Sequence, residues 1–282
     1  MENTGRYWLQ TLALFLIAFI LGSNEFIMVG ITSDVAQTYQ TSLTSVGILI
    51  TAFSITYVLT TPIVTSVTGR HSRYYSLLIL LIVFGAADIL TALAPSLEWL
   101  FAARVLTASV AGATISLATV FASQIAPASK QGLTIAIVSA GYSVATILGV
   151  PIGTAIATRL SWRDSFGLIA IITLFVIIMA AALLPRQTAV NSHHQEPHFR
   201  LLTDGRILAG ASLILFITAA QYTFYTYIRP LLTQVLHFST FQLNWLLALL
   251  GVCFIVGDIC SGLLANHQRS INSLPIIDWH RS

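Results

Sequence analysis

The chain has 282 residues, of which 56% are hydrophobic and only 8% charged, whereas a soluble domain carries about 25% charged residues. So few charges cannot clothe a water-facing surface, which excludes an ordinary soluble protein and leaves one that is stable where lipid replaces water. The net charge of +3 rests on few groups, so the placement of the basic residues matters more than their number, and nucleic acid is not an expected partner.

A bilayer core of about 30 Å needs about 20 apolar residues in a helix. Eight segments meet that length: 9–31, 43–67, 75–95, 97–122, 132–157, 165–185, 207–229 and 241–264. The first follows Arg6 in the manner of a secretory signal. It is too long for such a signal's apolar core of about 7–15 residues, and no small-x-small cleavage pattern closes it, so it is expected to remain as a span. Turn formers such as Ala94-Pro95-Ser96 and Ala126-Pro127-Ala128-Ser129 separate the segments. The fold class is therefore all-α, a polytopic membrane helical bundle. Residues 1–185 are read as a six-helix bundle, 186–206 as a polar cytoplasmic linker, 207–266 as the first two helices of a second bundle, and 267–282 as a polar tail.

The end of the second span, Thr65 through Arg73, repeats loosely at the end of the eighth, Ser261 through Arg269. Laying Arg70 on His267 offsets the copies by 197 residues. Two full copies need about 390 residues and about twelve spans. The tail after residue 266 has neither an apolar run nor an amphipathic period, which gives the expectation of a chain cut short, its tail read in a lost frame, with a naturally short protein as the alternative. Orientation follows from the basic residues. With the N-terminus in the cytoplasm, Arg6, Arg70, Arg73, Lys130, Arg186, Arg200 and Arg206 lie inside, and Arg159, Arg163 and Arg229 outside.

A charge inside a span costs about 2.5–3.5 kcal/mol on insertion scales, which singles out Glu25, Asp88, Arg104 and Asp258. At about 1.5 Å per residue, Glu25, Asp88 and Arg104 all fall about 20 Å above the inner face. Groups of both signs at one level are expected to satisfy one another. As a working site, a desolvated carboxylate takes up a proton and a nearby Arg makes it give the proton back. A purely structural ion pair, or a Glu25 near enough to the outer interface to stay wet, is the alternative. Asp258 lies near the inner end of its span, where an interfacial acid is expected. In the fifth span, Gly141, Gly149 and Gly153 remove side chains where a neighbouring helix must approach closely, and Pro151 removes a backbone donor and permits a kink.

The stretch from Gly141 to Phe166, GYSVATILGVPIGTAIATRLSWRDSF, resembles the antiporter motif of the major facilitator superfamily, followed by the Trp-Arg-x-x-Phe that opens its sixth helix. LGSNEFIMVGITSDVA, from Leu21, resembles the first helix of its drug:proton antiporter branch. FAARVLTASVAG, from Phe101, resembles the fourth-helix motif with its arginine at Arg104, and TYIRPLL, from Thr226, the start of the second half. By pattern the chain is similar to sugar-efflux and chloramphenicol-resistance type permeases. The resemblance implies a monomeric, multi-pass inner-membrane transporter that exports small organic molecules in exchange for protons. Glu25, Asp88, Arg104 and Asp34 become its proton-coupling or substrate-binding residues, Gly141, Gly149, Pro151 and Gly153 its flexible helix, and Arg70 and Arg73 its cytoplasmic gating loop. That loop departs from the family's Gly-x-x-x-Asp-Arg-x-Gly-Arg-Arg: Thr65, Gly69 and Ser72 stand for the first Gly, the Asp and the second Gly. In the second copy Asn266 and His267 stand for the acid and the arginine, so the acid–base latch across helices is weakened.

Other features read as ordinary. His193, His194 and His198 suit a solvated loop, Cys253 and Cys260 are small apolar packers, and Tyr222, Phe224, Tyr225 and Tyr227 suit aromatic packing as well as a cavity wall. No triad, phosphate loop or nucleotide motif appears, so neither enzyme activity nor a cofactor is expected. Two other readings stay open: an inactive truncated remnant, and a membrane protein that binds or regulates another transporter.

Overall fold

The structure, a computed structural model, describes residues 2–186 continuously and scattered positions between 205 and 264 beyond them. Over residues 2–186, seven α-helices follow in chain order: α1 (Glu2–Gly30), α2 (Thr32–Thr38), α3 (Leu43–Thr68), α4 (Arg73–Ala92), α5 (Leu97–Ile125), α6 (Gln131–Arg159) and α7 (Trp162–Leu183). A 3-10 turn, Ala128–Lys130, leads into α6. Among the described residues there is no strand, and six helices are long and apolar enough to cross a membrane. They correspond to the first six expected segments. Most of the expected linker and of the seventh segment, much of the eighth including Asp258, and the tail lie outside the described residues, although Cys253 and Cys260 are seen, exposed and free.

Local chemistry sets the helix starts. Ser42, Ser96 and Ser161 each sit in extended backbone and accept a backbone N–H of the helix that follows, α3, α5 and α7 respectively. Such a cap satisfies one of the donors that a helix N-terminus leaves orphaned. The Ser161 cap starts α7 at Trp162, three residues before the apolar run alone suggests. The segment after α1 is not a plain loop: Thr32–Thr38 makes a short helix of its own, closed by Gln40 in the left-handed region at φ 50°.

α5 lies at the centre, touching α1, α3, α4 and α6. It is lined with small buried residues, among them Ala103, Ala108, Ala111, Gly112, Ala113 and Ala118, which let neighbours come close. Thr61 of α3 reaches so near Gly112 that no side chain fits there. α1 packs chiefly on α6. Gly141 lies against Phe15 and Ala18, Gly149 against Ser23 and Phe26, and Gly153 against Ile27. The contacts advance together along both helices, so α1 and α6 run parallel. The close approach expected of the glycines thus has a specific partner, the helix that carries Glu25. Pro151 falls within α6.

Apolar side chains also face outward, including Ile48, Ile55, Val58, Leu59 and Ile63 on α3 and Ile171, Leu174, Phe175 and Ile178 on α7. Continuous apolar exposure of this kind is stable against lipid or a further helical layer, not against water.

Candidate functional site

The polar centre forms where α1, α4 and α5 meet. Asn24 and Asp88 are 0% exposed and Arg104 2%. Asn24 Nδ2 donates to Asp88 Oδ1, and Arg104 Nη1 donates to Asn24 Oδ1 at 2.6 Å. The acid and the arginine therefore meet through an amide. A carboxylate only accepts and a guanidinium only donates, and Asn offers one group of each kind, so the bridge satisfies both ends at once. Arg104 is held from the sides by aromatic faces: its guanidinium carbon lies 4.4 Å from the ring centre of Phe53 on α3 and 5.5 Å from that of Phe166 on α7. Desolvated cation–π contacts contribute up to about 2 kcal/mol. Asp88 Oδ2 and Arg104 Nε have no hydrogen-bond partner.

Glu25 faces elsewhere. It is half-buried and accepts a hydrogen bond from the Tyr142 hydroxyl of α6. Phe26 meets the Tyr142 ring edge-on at 5.8 Å between centres. Gly22 makes room for that ring, since a methyl group there would come 3.1 Å from Tyr142 and 2.8 Å from the Ala145 methyl. The charge of Glu25 still reaches Arg104 and, on α3, Tyr57. Glu25, Asp88 and Arg104 are thus brought into one electrostatic neighbourhood as two connected groups, not one triple ion pair.

The remaining sequence candidates lie apart. Asp34 sits on α2, past the end of the first membrane-length helix. Arg70 is exposed and Arg73 half-buried at the turn between α3 and α4, where Gly69 in the helical region occupies the place of the loop signature's acid.

At the end of the bundle where α1 finishes, the Trp-Arg pair opening α7 acts as a clamp. Trp162 Nε1 donates to Thr38 Oγ1 at 2.9 Å. Arg163 Nη2 donates to the Ala94 carbonyl at 2.9 Å and to the Tyr39 hydroxyl at 3.3 Å, while Tyr39 itself donates to Ala94 O at 2.8 Å. Burial pushes the Tyr39 hydroxyl above its ordinary value, against the opposing pull of Arg163. The clamp ties the α1–α3 connection to the α4–α5 turn, and four residues on from Trp162 the same helix presents Phe166 to Arg104. Reading the spans for charges alone misses Asn24, Tyr142, Phe53 and Phe166. The signal for Asn24 was its position beside Glu25, since a buried amide needs partners as surely as a charge does.

Together these features define a polytopic helical membrane protein with ionisable groups built into its interior. The chain belongs to the Major Facilitator Superfamily, whose sequence profile matches residues 14–277. It is 30% identical over 262 residues to the MFS-type transporter YbcL of Bacillus subtilis, covering 93% of this chain and 66% of that one. It is also 30% identical over 267 residues to the inner membrane transport protein YdhP of Escherichia coli, covering 93% and 67%. The chain thus spans about two thirds of the length of these relatives. Among solved structures, the human organic anion transporter MFSD10 superposes with a TM-score of 0.66 at 14% identity, over 93% of this chain and 73% of that one. The proton:xylose symporter XylE superposes with a TM-score of 0.57 at 16% identity, over 63% and 45%. At such identities the superpositions speak for the fold.

Proposed function

We propose that the protein works as a secondary active transporter of the drug:proton antiporter branch, exporting small organic molecules such as drugs or sugars across the inner membrane in exchange for protons. The observation that carries this reading is the placement on one turn of α1 of two linked groups: Glu25, bonded to Tyr142 of the glycine-rich α6, and Asn24, bridging Asp88 and Arg104. Ionisable groups in a membrane interior mark proton and substrate paths. In this reading Glu25 is the carboxylate that exchanges protons with the transport path, and Arg104 is the positive charge its field reaches. α1 and α6, packed on glycine, form the wall that changes shape during alternating access, as close-packed helices of inverted-repeat transporters do. The excess of basic residues favours an N-terminus in the cytoplasm, with Arg70 and Arg73 taken as the inner gate and 1–185 as the first bundle. YdhP, named an inner membrane transport protein, supports the location.

The test is uptake into inverted vesicles carrying the full chain, with a pH gradient imposed and a panel of cationic dyes and sugars as substrates. Accumulation that follows the gradient, stops when it is collapsed and is lost in Glu25→Gln supports the reading. Accumulation that ignores the pH gradient and follows a sodium gradient instead, or that Glu25→Gln leaves intact, overturns it.

A further inference from the structure

Asp88 is fully buried, yet only one of its carboxylate oxygens is bonded. Oδ1 accepts from Asn24, and Oδ2 has no partner. An ionised carboxylate shares its charge between both oxygens, so Oδ2 carries buried negative charge that no donor answers, an arrangement of high free energy. A proton on Oδ2 removes that charge and leaves Oδ1 as a carbonyl-type acceptor, which keeps the Asn24 bond intact. The amide cannot turn over in response. Arg104 only donates, so Asn24 must present its oxygen to Arg104 and its nitrogen to Asp88 in either charge state.

The surroundings of Asp88 offer few other ionisable groups. From α5 the facing charge is Arg104; Glu25 of α1, one residue beyond the bridge, turns toward α6 and bears on the cluster through Arg104. α7 packs on α4 through Gly85 and Thr173, and of its charged residues Asp164 is exposed and Arg163 is bound at the clamp. With both acids ionised, the cluster of Glu25, Asp88 and Arg104 holds one negative charge in excess. A proton on Asp88 leaves Arg104 to be balanced by Glu25 alone.

We propose that Asp88 is a second proton-binding site, loaded at Oδ2 inside the six-helix bundle, with Asn24 as the residue that positions it, and separate from the Glu25–Tyr142 pair. This deepens the reading of the polar centre as a proton-coupled site and rests on that reading for its part in transport. Loading Asp88 leaves Glu25 as the acid that answers Arg104 and so links the two acids through that one charge.

Infrared difference spectroscopy of the purified full chain in lipid, between acid and alkaline buffer, reads carboxyl protonation directly through the C=O stretch of protonated acids. Two components are expected, a buried one lost in Asp88→Asn and one from the half-buried Glu25 lost in Glu25→Gln. Asn24→Leu should shift the frequency and midpoint of the Asp88 component and leave that of Glu25 in place. The exchanged pair Asn24→Asp with Asp88→Asn keeps the same side-chain types and guards against misfolding. Its acid faces Arg104 directly and should show no protonated component near neutral pH. If folded Asp88→Asn and the exchanged pair both give the wild-type spectrum throughout, Asp88 is a permanently ionised partner of Arg104 and the proposal falls. If the Asp88 component is present while vesicle uptake ignores the pH gradient, the proton site stands and the transport reading fails.

Discussion

Alanine at the three glycines of α6 separates close helix approach from simple family pattern. A methyl group on Gly141 would run into the backbone carbonyl oxygen of Phe15 and come 3.2 Å from the Ala18 methyl. The carbonyl belongs to α1 and moves only if α1 moves, so the two helices must separate locally, an overpacking that costs about 1–3 kcal/mol. At Gly153 the new methyl meets Ile27 Cγ1 and Cγ2 at 2.8 Å, side-chain atoms that give way only by leaving the one favoured rotamer of a β-branched helical residue. At Gly149 the nearest atoms are Phe26 Cβ at 3.4 Å and Ser23 Cα at 3.5 Å, which is ordinary contact. There the gain of about 0.5–1 kcal/mol for replacing Gly by Ala inside a helix should make the variant neutral or slightly more stable. Heating the purified variants in detergent and following the monodisperse fraction by size-exclusion chromatography measures the order without reference to transport. Gly141→Ala should lose several degrees, at about 2–4 °C per kcal/mol for a chain of this size, Gly153→Ala less, and Gly149→Ala nothing. Equal losses at all three, or the greatest loss at Gly149, would refute the packing argument.

Asn24→Leu should destabilise more than any of these, by about 3–5 kcal/mol, because it leaves a buried acid and a buried guanidinium without their shared partner; the same heating assay reads it. Arg163→Ala removes the donors to Ala94 and Tyr39, so amide hydrogen exchange should quicken in residues 31–41 while the middle of α4 stays protected. In Tyr39→Phe, the ultraviolet titration of tyrosine should lose a phenol that ionises later than free tyrosine, because burial raises the Tyr39 value. The sign follows from the raised value: neutral Tyr39 supports the clamp fully below the unfolded phenol's value of about 10 and loses that contribution as pH climbs through the higher folded one.

The six membrane-length helices were legible because hydropathy over about 20 residues reports the thickness of the bilayer, and that property belongs to each segment alone. The segment expected at 43–67 is α3 to within a residue, and the one at 132–157 lies inside α6. The ends are less legible where single side chains decide them. The cap by Ser161 draws the start of α7 forward, and the end of α2 is tied down through Thr38 and Tyr39 by Trp162 and Arg163, residues more than a hundred positions away. The glycines of α6 announced a close neighbour without saying which, since only the matched advance along both chains identifies α1.

Depth was the coordinate by which Glu25 was grouped with Asp88 and Arg104, and depth along an α-helix hardly distinguishes adjacent residues, which differ by about 1.5 Å. Direction does: at 3.6 residues per turn, neighbours point about 100° apart. Asn24 is the residue turned toward α4 and α5, while Glu25 is turned toward α6. The neutral residue therefore takes the buried bridge and the acid takes the half-buried place beside Tyr142. The division has a physical logic. An acid at position 24 would set two carboxylates side by side with one guanidinium between them, a buried excess of negative charge. Asparagine spares the interior a second carboxylate beside Asp88 and leaves Glu25 at the more accessible place. Because both residues ride on one rigid turn, a shift of α1 against α6 that lengthens the Tyr142–Glu25 bond must also pull on the Asn24 bridge. The two halves of the polar centre are therefore coupled through the backbone of α1 even though they share no hydrogen bond.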